Sequence, residues 1–200
     1  MMEQRFALFE TAIGACALVW TARGICGVQL PERDAAATRA RVQRRHPTAV
    51  EAVPNAEARR AIDGIVALLA GEKRDLTDIA IDDEGQADFN KRVYAIARKI
   101  PAGQTMTYGE IAERLGDKAL ARAVGQAMRE NPTPLVMPCH RVLAAGGKTG
   151  GFSASGGVVT KLRLLSIEGA QPERGWKPTA LARPPLRVPV KSSLPYFATS

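Results

Sequence analysis

From Arg5 to Pro31 the chain reads RFALFETAIGACALVWTARGICGVQLP, short apolar runs broken at Gly14 and Gly24. Runs of that length split by glycine predict hairpin-linked antiparallel strands. The next segment, ERDAAATRARVQRRHP, is polar and rich in Ala and Arg. It predicts a helix that ends before Pro47, because a residue preceding proline is pushed out of the helical region. In NAEARRAIDGIVALLAGE, the residues Ala58, Ile62, Ile65, Val66 and Leu69 recur near a 3.6-residue period. Asn55 suits an N-cap and Gly71 a stop. TDIAIDDEG then alternates Ile79 and Ile81 with polar residues, the pattern of a short strand. Residues 1–85 therefore form a small α/β unit.

The second half changes period. ADFNKRVYAIARKIPAG sets Phe89, Val93, Ile96, Ala97 and Ile100 on one helical face, stopped by Pro101. In TMTYGEIAERLGDKALARAVGQAMRENPTP, Thr107 and Glu110 have the spacing of a capping box. Ile111, Ala112 and Leu115 form a buried stripe, Gly116 and Asp117 a turn. A second helix follows with Leu120, Ala123, Val124, Ala127 and Met128 inward. Two short helices around such a turn form a helix-turn-helix pattern, shared by many helical hairpins that never meet DNA. AAGGKTGGFSASGG predicts a glycine-rich loop and VVTKLRLLSIEG a terminal helix. Residues 86–170 are thus mostly helical. The remaining 171–200 hold six of the 13 prolines without periodicity, a basic and disordered appendage.

Composition narrows the class. At 200 residues, 46% hydrophobic and 24% charged, the chain has an ordinary globular balance. No apolar run approaches the roughly 20 residues that span a bilayer. Glu3, Arg5 and Glu10 interrupt the N-terminus, which argues against a signal peptide and for the cytosol. The sparse cysteines Cys16, Cys26 and Cys139 do not suggest a disulfide framework. The net charge of +8 favours a polyanionic partner. Part of it is the tail's own, where Arg174, Lys177, Arg183, Arg187 and Lys191 face only Glu173.

The chemistry concentrates in PLVMPCHRVLAAGG, residues 134–147, where Cys139 precedes one of only two histidines. A zinc site would want clustered ligands at short spacing, which Cys139 and His140, pointing to opposite faces, do not supply. A set from Cys16, Cys26 and His46 is conceivable by count. A lone cysteine is most often a small buried hydrophobe. Here its flanks are a rigid Pro138 and the polar His140 and Arg141. A nucleophile needs its thiolate, and a free thiol with a pKa of about 8.5 is mostly protonated at neutral pH. Imidazole and positive charge nearby would correct that. Adjacent residues meet awkwardly, so a bridging water or a kinked backbone is expected. A carboxylate should orient the imidazole, and Glu168 is the candidate.

PCHRV, preceded by RAVGQAMRENPTPLVM and followed by GGFSASGG and KLRLLSIEG, resembles the O6-alkylguanine-DNA alkyltransferases, the methylated-DNA–protein-cysteine methyltransferases. The resemblance covers residues 89–169, with three segments agreeing in order and spacing. It implies a ribonuclease-H-like α/β N-terminal domain and a helical C-terminal domain carrying a helix-turn-helix. It implies repair of double-stranded DNA containing O6-alkylguanine, and more weakly O4-alkylthymine. The alkyl group would pass irreversibly to Cys139, without cofactor or metal, in a cytoplasmic monomer that meets the minor groove. His140 and Glu168 would form the water-relayed activating network. Tyr108 would lie beside the target phosphate, Arg122 fill the vacated base stack, and Asn131 act as a hinge. Arg141 falls among the substrate-binding residues. Phe152 would cover the flipped base, and backbone N–H groups near Ser153 or Ser155 would meet guanine O6. Extrusion is required because O6 lies within a stacked pair. The alternatives are a lesion-binding protein of alkyltransferase-like type, which would lack the cysteine, and a cysteine hydrolase, which would want a separated Cys and His.

Overall fold

The computed structural model describes residues 2–170; the proline-rich stretch 171–200 expected to be disordered lies outside the described residues. The first apolar runs form β1 (Arg5–Thr11), β2 (Gly14–Thr21) and β3 (Gly24–Gln29), joined as antiparallel hairpins. A two-residue strand, β4 (Val50–Glu51), pairs in parallel with β1, giving the order β3-β2-β1-β4. Two residues are too few to leave a periodic signal, so the pattern did not reveal it.

The strands are apolar on both sides because both faces of the sheet are covered. Phe6, Leu8, Ala17 and Val19 face Val42 of α1 (Ala35–Arg45). Ala7, Phe9, Leu18 and Trp20 face Ile62, Ile65 and Leu69 of α2 (Ala56–Leu69). Asp34 and Asn55 cap these helices, accepting from the N–H groups of Ala37 and Ala58. The strand expected around Ile79 and Ile81 contracts to a single bridge between Ile25 and Ile81. Its backbone bonds stop at Asp82, whose side chain turns to accept from the Thr21 hydroxyl at 2.6 Å and from Arg23 at 2.8 Å. Gly24 is required there: a Cβ would lie 2.6 Å from the Ala80 carbonyl oxygen.

The second half carries α3 (Asp88–Ala97), α4 (Tyr108–Arg114) and α5 (Ala121–Glu130), the last two joined through a 3-10 turn, Lys118–Leu120. The capping box of Thr107 and Glu110 forms as expected. Val93, Tyr94, Ile111, Val124, Ala127 and Met128 make a second core. Two corrections arise. Ala123 is exposed, since the stripe Val124, Ala127 and Met128 leaves it one position off, beside Arg122. Tyr94, not assigned inward by its period, is buried and donates its hydroxyl to the Ala127 carbonyl at 2.9 Å. The terminal helix, α6 (Gly157–Ile167), sends Leu164 and Ile167 into the core beneath the sheet, together with Leu135 and Val136. The segment before Cys139 is therefore clamped between the two halves. Among the described residues no helix is long and apolar enough to cross a membrane.

Candidate active site

Cys139 opens a one-turn 3-10 helix, Cys139–Arg141, that leads into β6 (Val142–Leu143). That strand pairs in parallel with β5 (Met106–Thr107), Met106 opposite Val142 and Thr107 opposite Leu143. Because β5 runs straight into α4, the pairing carries Tyr108, the first residue of that helix, to the cysteine. On the other side, the β3 backbone at Val28 donates to the Pro132 carbonyl at 2.9 Å. Asn131, just past α5, is buried and bonded at both ends of its amide. Its Nδ2 donates to the Met137 carbonyl at 2.9 Å, and its Oδ1 accepts from the Thr133 N–H at 3.0 Å. Between them Leu135 sits at φ 75, a left-handed conformation that costs a branched residue about 1–3 kcal/mol. Burial of Leu135 and the Asn131 bonds hold it there, so the backbone before Cys139 is fixed rather than pliant.

The tight turn separates the adjacent side chains. His140 is fully buried, and its Nε2 lies 2.8 Å from Glu168 Oε1. The other Glu168 oxygen takes Arg141 Nε at 2.9 Å, while Arg141 Nη2 reaches Oε1 at 2.8 Å. Burial works against ionisation of Glu168, but His140 and Arg141 outweigh it and hold its carboxyl down at about 2. An ionised carboxylate only accepts, so Nε2 carries the proton shared with Glu168. Nδ1 is buried without a partner among the described residues. Arg141, expected among the substrate-binding residues, is only 3% exposed, and its guanidinium is engaged by Glu168, by the Ile100 carbonyl 2.6 Å from Nη1, and by Asp75 at 3.5 Å.

Burial pushes the Cys139 thiol up, and the Asn131 side chain and the Lys161 charge pull the other way. Lys161, close to the site, was not singled out from the sequence. It is buried on α6, donates from Nζ to the Val142 carbonyl at 2.6 Å, and stands 5.8 Å from the centre of the Tyr108 ring. Burial brings its ammonium down to about 8, against the opposing pull of Cys139. The signal was present: a lysine on the same helical stripe as Leu164 and Leu165.

Cys139 lies at the wall of a cavity of about 480 Å³ that opens onto α5. Tyr108, Arg122, Phe152 and Ser153 line it with Gln126 and Arg129. Arg122 is exposed and Phe152 half-buried. Burial and the Cys139 charge raise the Tyr108 phenol, which keeps its proton and remains a donor. At Gly150, with φ 68, a Cβ would lie 2.8 Å from Tyr108 Oη, so glycine lets the loop close over the ring. Of the residues expected near the substrate, Asn131 supports the wall from behind. Ser155 does not line the cavity but faces a second, smaller cleft that also reaches Cys139. The arrangement can hold a flat group against a buried thiol whose neighbours are one imidazole, one ammonium and one phenol.

Comparison with known proteins agrees with this geometry. Residues 88–170 match the family model for the 6-O-methylguanine DNA methyltransferase DNA binding domain. The methylated-DNA–protein-cysteine methyltransferase of Mycolicibacterium paratuberculosis is 44% identical over 54% of this chain, which spans 63% of that relative's length. The protein of that name from Methanosarcina acetivorans is 40% identical, with 56% of this chain and 69% of the relative aligned. The structure is similar to that of Mycobacterium tuberculosis OGT in complex with DNA, at a TM-score of 0.68 and 32% identity, over 82% of this chain and 92% of that one. At 40% identity over 69% of one relative, and 32% identity over 92% of a solved structure that shares the sheet-bearing half and the helical half, the chain belongs to the O6-methylguanine DNA methyltransferase family.

Proposed function

We propose that this protein repairs double-stranded DNA by taking the alkyl group of O6-alkylguanine, and of O4-alkylthymine more weakly, onto Cys139 in a single turnover. The observation that carries the reading is the buried thiol on the wall of a cavity that opens along α5, backed by His140, Glu168 and Arg141. Guanine O6 is unreachable within the stack, so the nucleotide must rotate out of the duplex. Arg122, exposed at the cavity rim, fits the side chain that fills the gap. Ala123 and Gly125 on the outer side of α5 allow close approach to the minor groove. Phe152 covers the base, and the N–H groups of the loop around Ser153 meet O6.

Chemistry then follows from the proton inventory. Nδ1 of His140 takes the thiol proton through a water, and Glu168 stabilises the imidazolium that results. Lys161 steadies the thiolate, which attacks the alkyl carbon in line with the C–O6 bond. The electron pair of that bond stays with guanine, Tyr108 supplies a proton to the ring, and the tyrosinate regains one from the imidazolium through solvent. The thioether is stable, so each molecule acts once and as a monomer. Mixing the protein with a duplex carrying labelled O6-methylguanine should leave one methyl on Cys139 by peptide mass, and none on Cys139→Ala. Repeated turnover, or tight binding without transfer, overturns the reading in favour of a hydrolase or a lesion-binding protein.

A further inference from the structure

On its cavity side α5 carries one polar side chain that the chemistry at Cys139 does not use. Gln126 is exposed, lines the main cavity with Arg122 and Arg129, and follows Arg122 by one helical turn. Its amide is not free to rotate. Nε2 donates to Glu130 Oε1 at 2.6 Å, and the other Glu130 oxygen accepts from Asn90 Nδ2 of α3 at 3.1 Å. These two bonds hold the Glu130 carboxyl below its ordinary value. An ionised carboxylate only accepts, so the amide atom facing it is the nitrogen. The carbonyl oxygen Oε1 of Gln126 therefore points away from Glu130, and it accepts no bond among the described residues. Glu130 is the last residue of α5, where the helix dipole disfavours a negative charge. An acceptor kept there against the dipole, and tied to the buried Asn90, fixes which side of the Gln126 amide faces outward.

Resting on the reading above, we propose that Gln126 reads the base pairs beside the lesion from the minor groove and favours G·C over A·T there. With α5 in the groove, Gln126 stands about 6 Å along the helix from Arg122. The rise per base pair is about 3.4 Å, so its reach falls within two pairs of the gap that Arg122 fills. In the minor groove A·T and T·A show only acceptors, whereas G·C adds one donor, the guanine 2-amino group. The outward Oε1 of Gln126 is an acceptor, and that amino group is its complement among the base edges. The second N–H of Nε2 meets acceptors that every pair displays, so it holds the helix without choosing. At Gly125, beside it, a Cβ would stand in open space, so the backbone there can approach the floor of the groove. Gln126 and Glu130 also support α5 as an i, i+4 contact, but such support is blind to the base sequence.

The test uses the full chain and duplexes that each hold one O6-methylguanine and differ only at its first or second neighbours. A neighbouring G·C is replaced by inosine·C, which lacks the 2-amino group, or a neighbouring A·T by 2,6-diaminopurine·T, which gains it. Two duplexes compete in equal amounts, one with a trideuterated methyl, and the two adducts on Cys139 are counted by peptide mass. At one or more neighbours G·C should beat inosine·C by about threefold to tenfold, the worth of one hydrogen bond, and diaminopurine·T should beat A·T likewise. Easier opening of the duplex cannot produce this order. Pairs without the 2-amino group have one hydrogen bond fewer, so they ease extrusion of the base beside them. Gln126→Leu should bring both ratios to within about 1.5-fold of one, and Glu130→Ala, which frees the amide to turn, should at least halve them. Wild-type ratios under about twofold at every neighbour overturn the proposal, as does a preference that survives in Gln126→Leu or is undiminished in Glu130→Ala. Where a variant does not fold, the two wild-type ratios decide alone. Methyl on Cys139 without a preference defeats this proposal and leaves the parent reading standing, whereas no methyl from any duplex defeats both.

Discussion

Replacing Glu168 by glutamine removes one charge from the centre of the site and changes shape little. The carboxyl titrates at about 2 instead of 4.5, and its side chain is 2% exposed, so little screening reduces the effect. At about 1.4 kcal/mol per pH unit, the difference is worth about 3 kcal/mol of stability at pH 7. A second route gives a similar figure: removing one partner of the buried Arg141–Glu168 pair costs about 3–5 kcal/mol, with the half-exposed Asp75, 3.5 Å from Nη1, the carboxylate that remains. Because the folded-state pKa is lowered, this stability is present above the unfolded value of 4.5 and is lost as the pH falls toward 2. Wild type and Glu168→Gln are compared by urea unfolding at pH 7 and at pH 3. The gap should be about 3–5 kcal/mol at pH 7 and about 2 kcal/mol narrower at pH 3, where wild-type Glu168 already takes up its proton on unfolding. A gap under about 1 kcal/mol at pH 7, or one unchanged at pH 3, refutes the assignment of Glu168 as the ionised anchor of His140 and Arg141.

Other substitutions probe the remaining parts. Lys161→Met should slow capture of Cys139 by iodoacetamide at pH 7 by about threefold. The wild-type advantage should fade as the pH rises through about 8, where the ammonium loses its proton; an advantage that persists at pH 10 contradicts the charge role. Asn131→Ala orphans the buried Met137 carbonyl and Thr133 N–H, and should cost about 2–4 kcal/mol in urea unfolding while slowing methyl transfer. A stable variant with full transfer activity would mean that the strained segment at Leu135 holds itself. Arg122→Ala should slow transfer from duplex DNA at least tenfold more than transfer from free O6-benzylguanine, measured side by side; equal losses would remove the wedge role.

The local elements were legible because their causes are local. Glycine-split apolar runs gave three strands, Asp34 and Asn55 gave helix starts, and Thr107 with Glu110 gave a capping box, each within four residues of its partner. Ala123 was misplaced because a loose reading of helical period admits one extra position, and only packing against α3 and α4 shows which. Strands of two residues, such as β4, β5 and β6, carry no pattern and exist through the neighbours that the fold brings alongside.

By itself the sequence made Cys139 the candidate nucleophile: PCHRV, the glycine loop and Glu168 stand in the order that carries the resemblance to the methyltransferase family. Tertiary structure decided what each charge is for. Arg141 and Glu168, 27 positions apart, meet in the interior and neutralise one another. Lys161 becomes a neighbour of the thiol only when α6 packs beneath β6. The reason is physical: a residue type states what a side chain can do, but whether its charge faces water, a counter-ion or a substrate depends on the burial and partners set by distant parts of the chain.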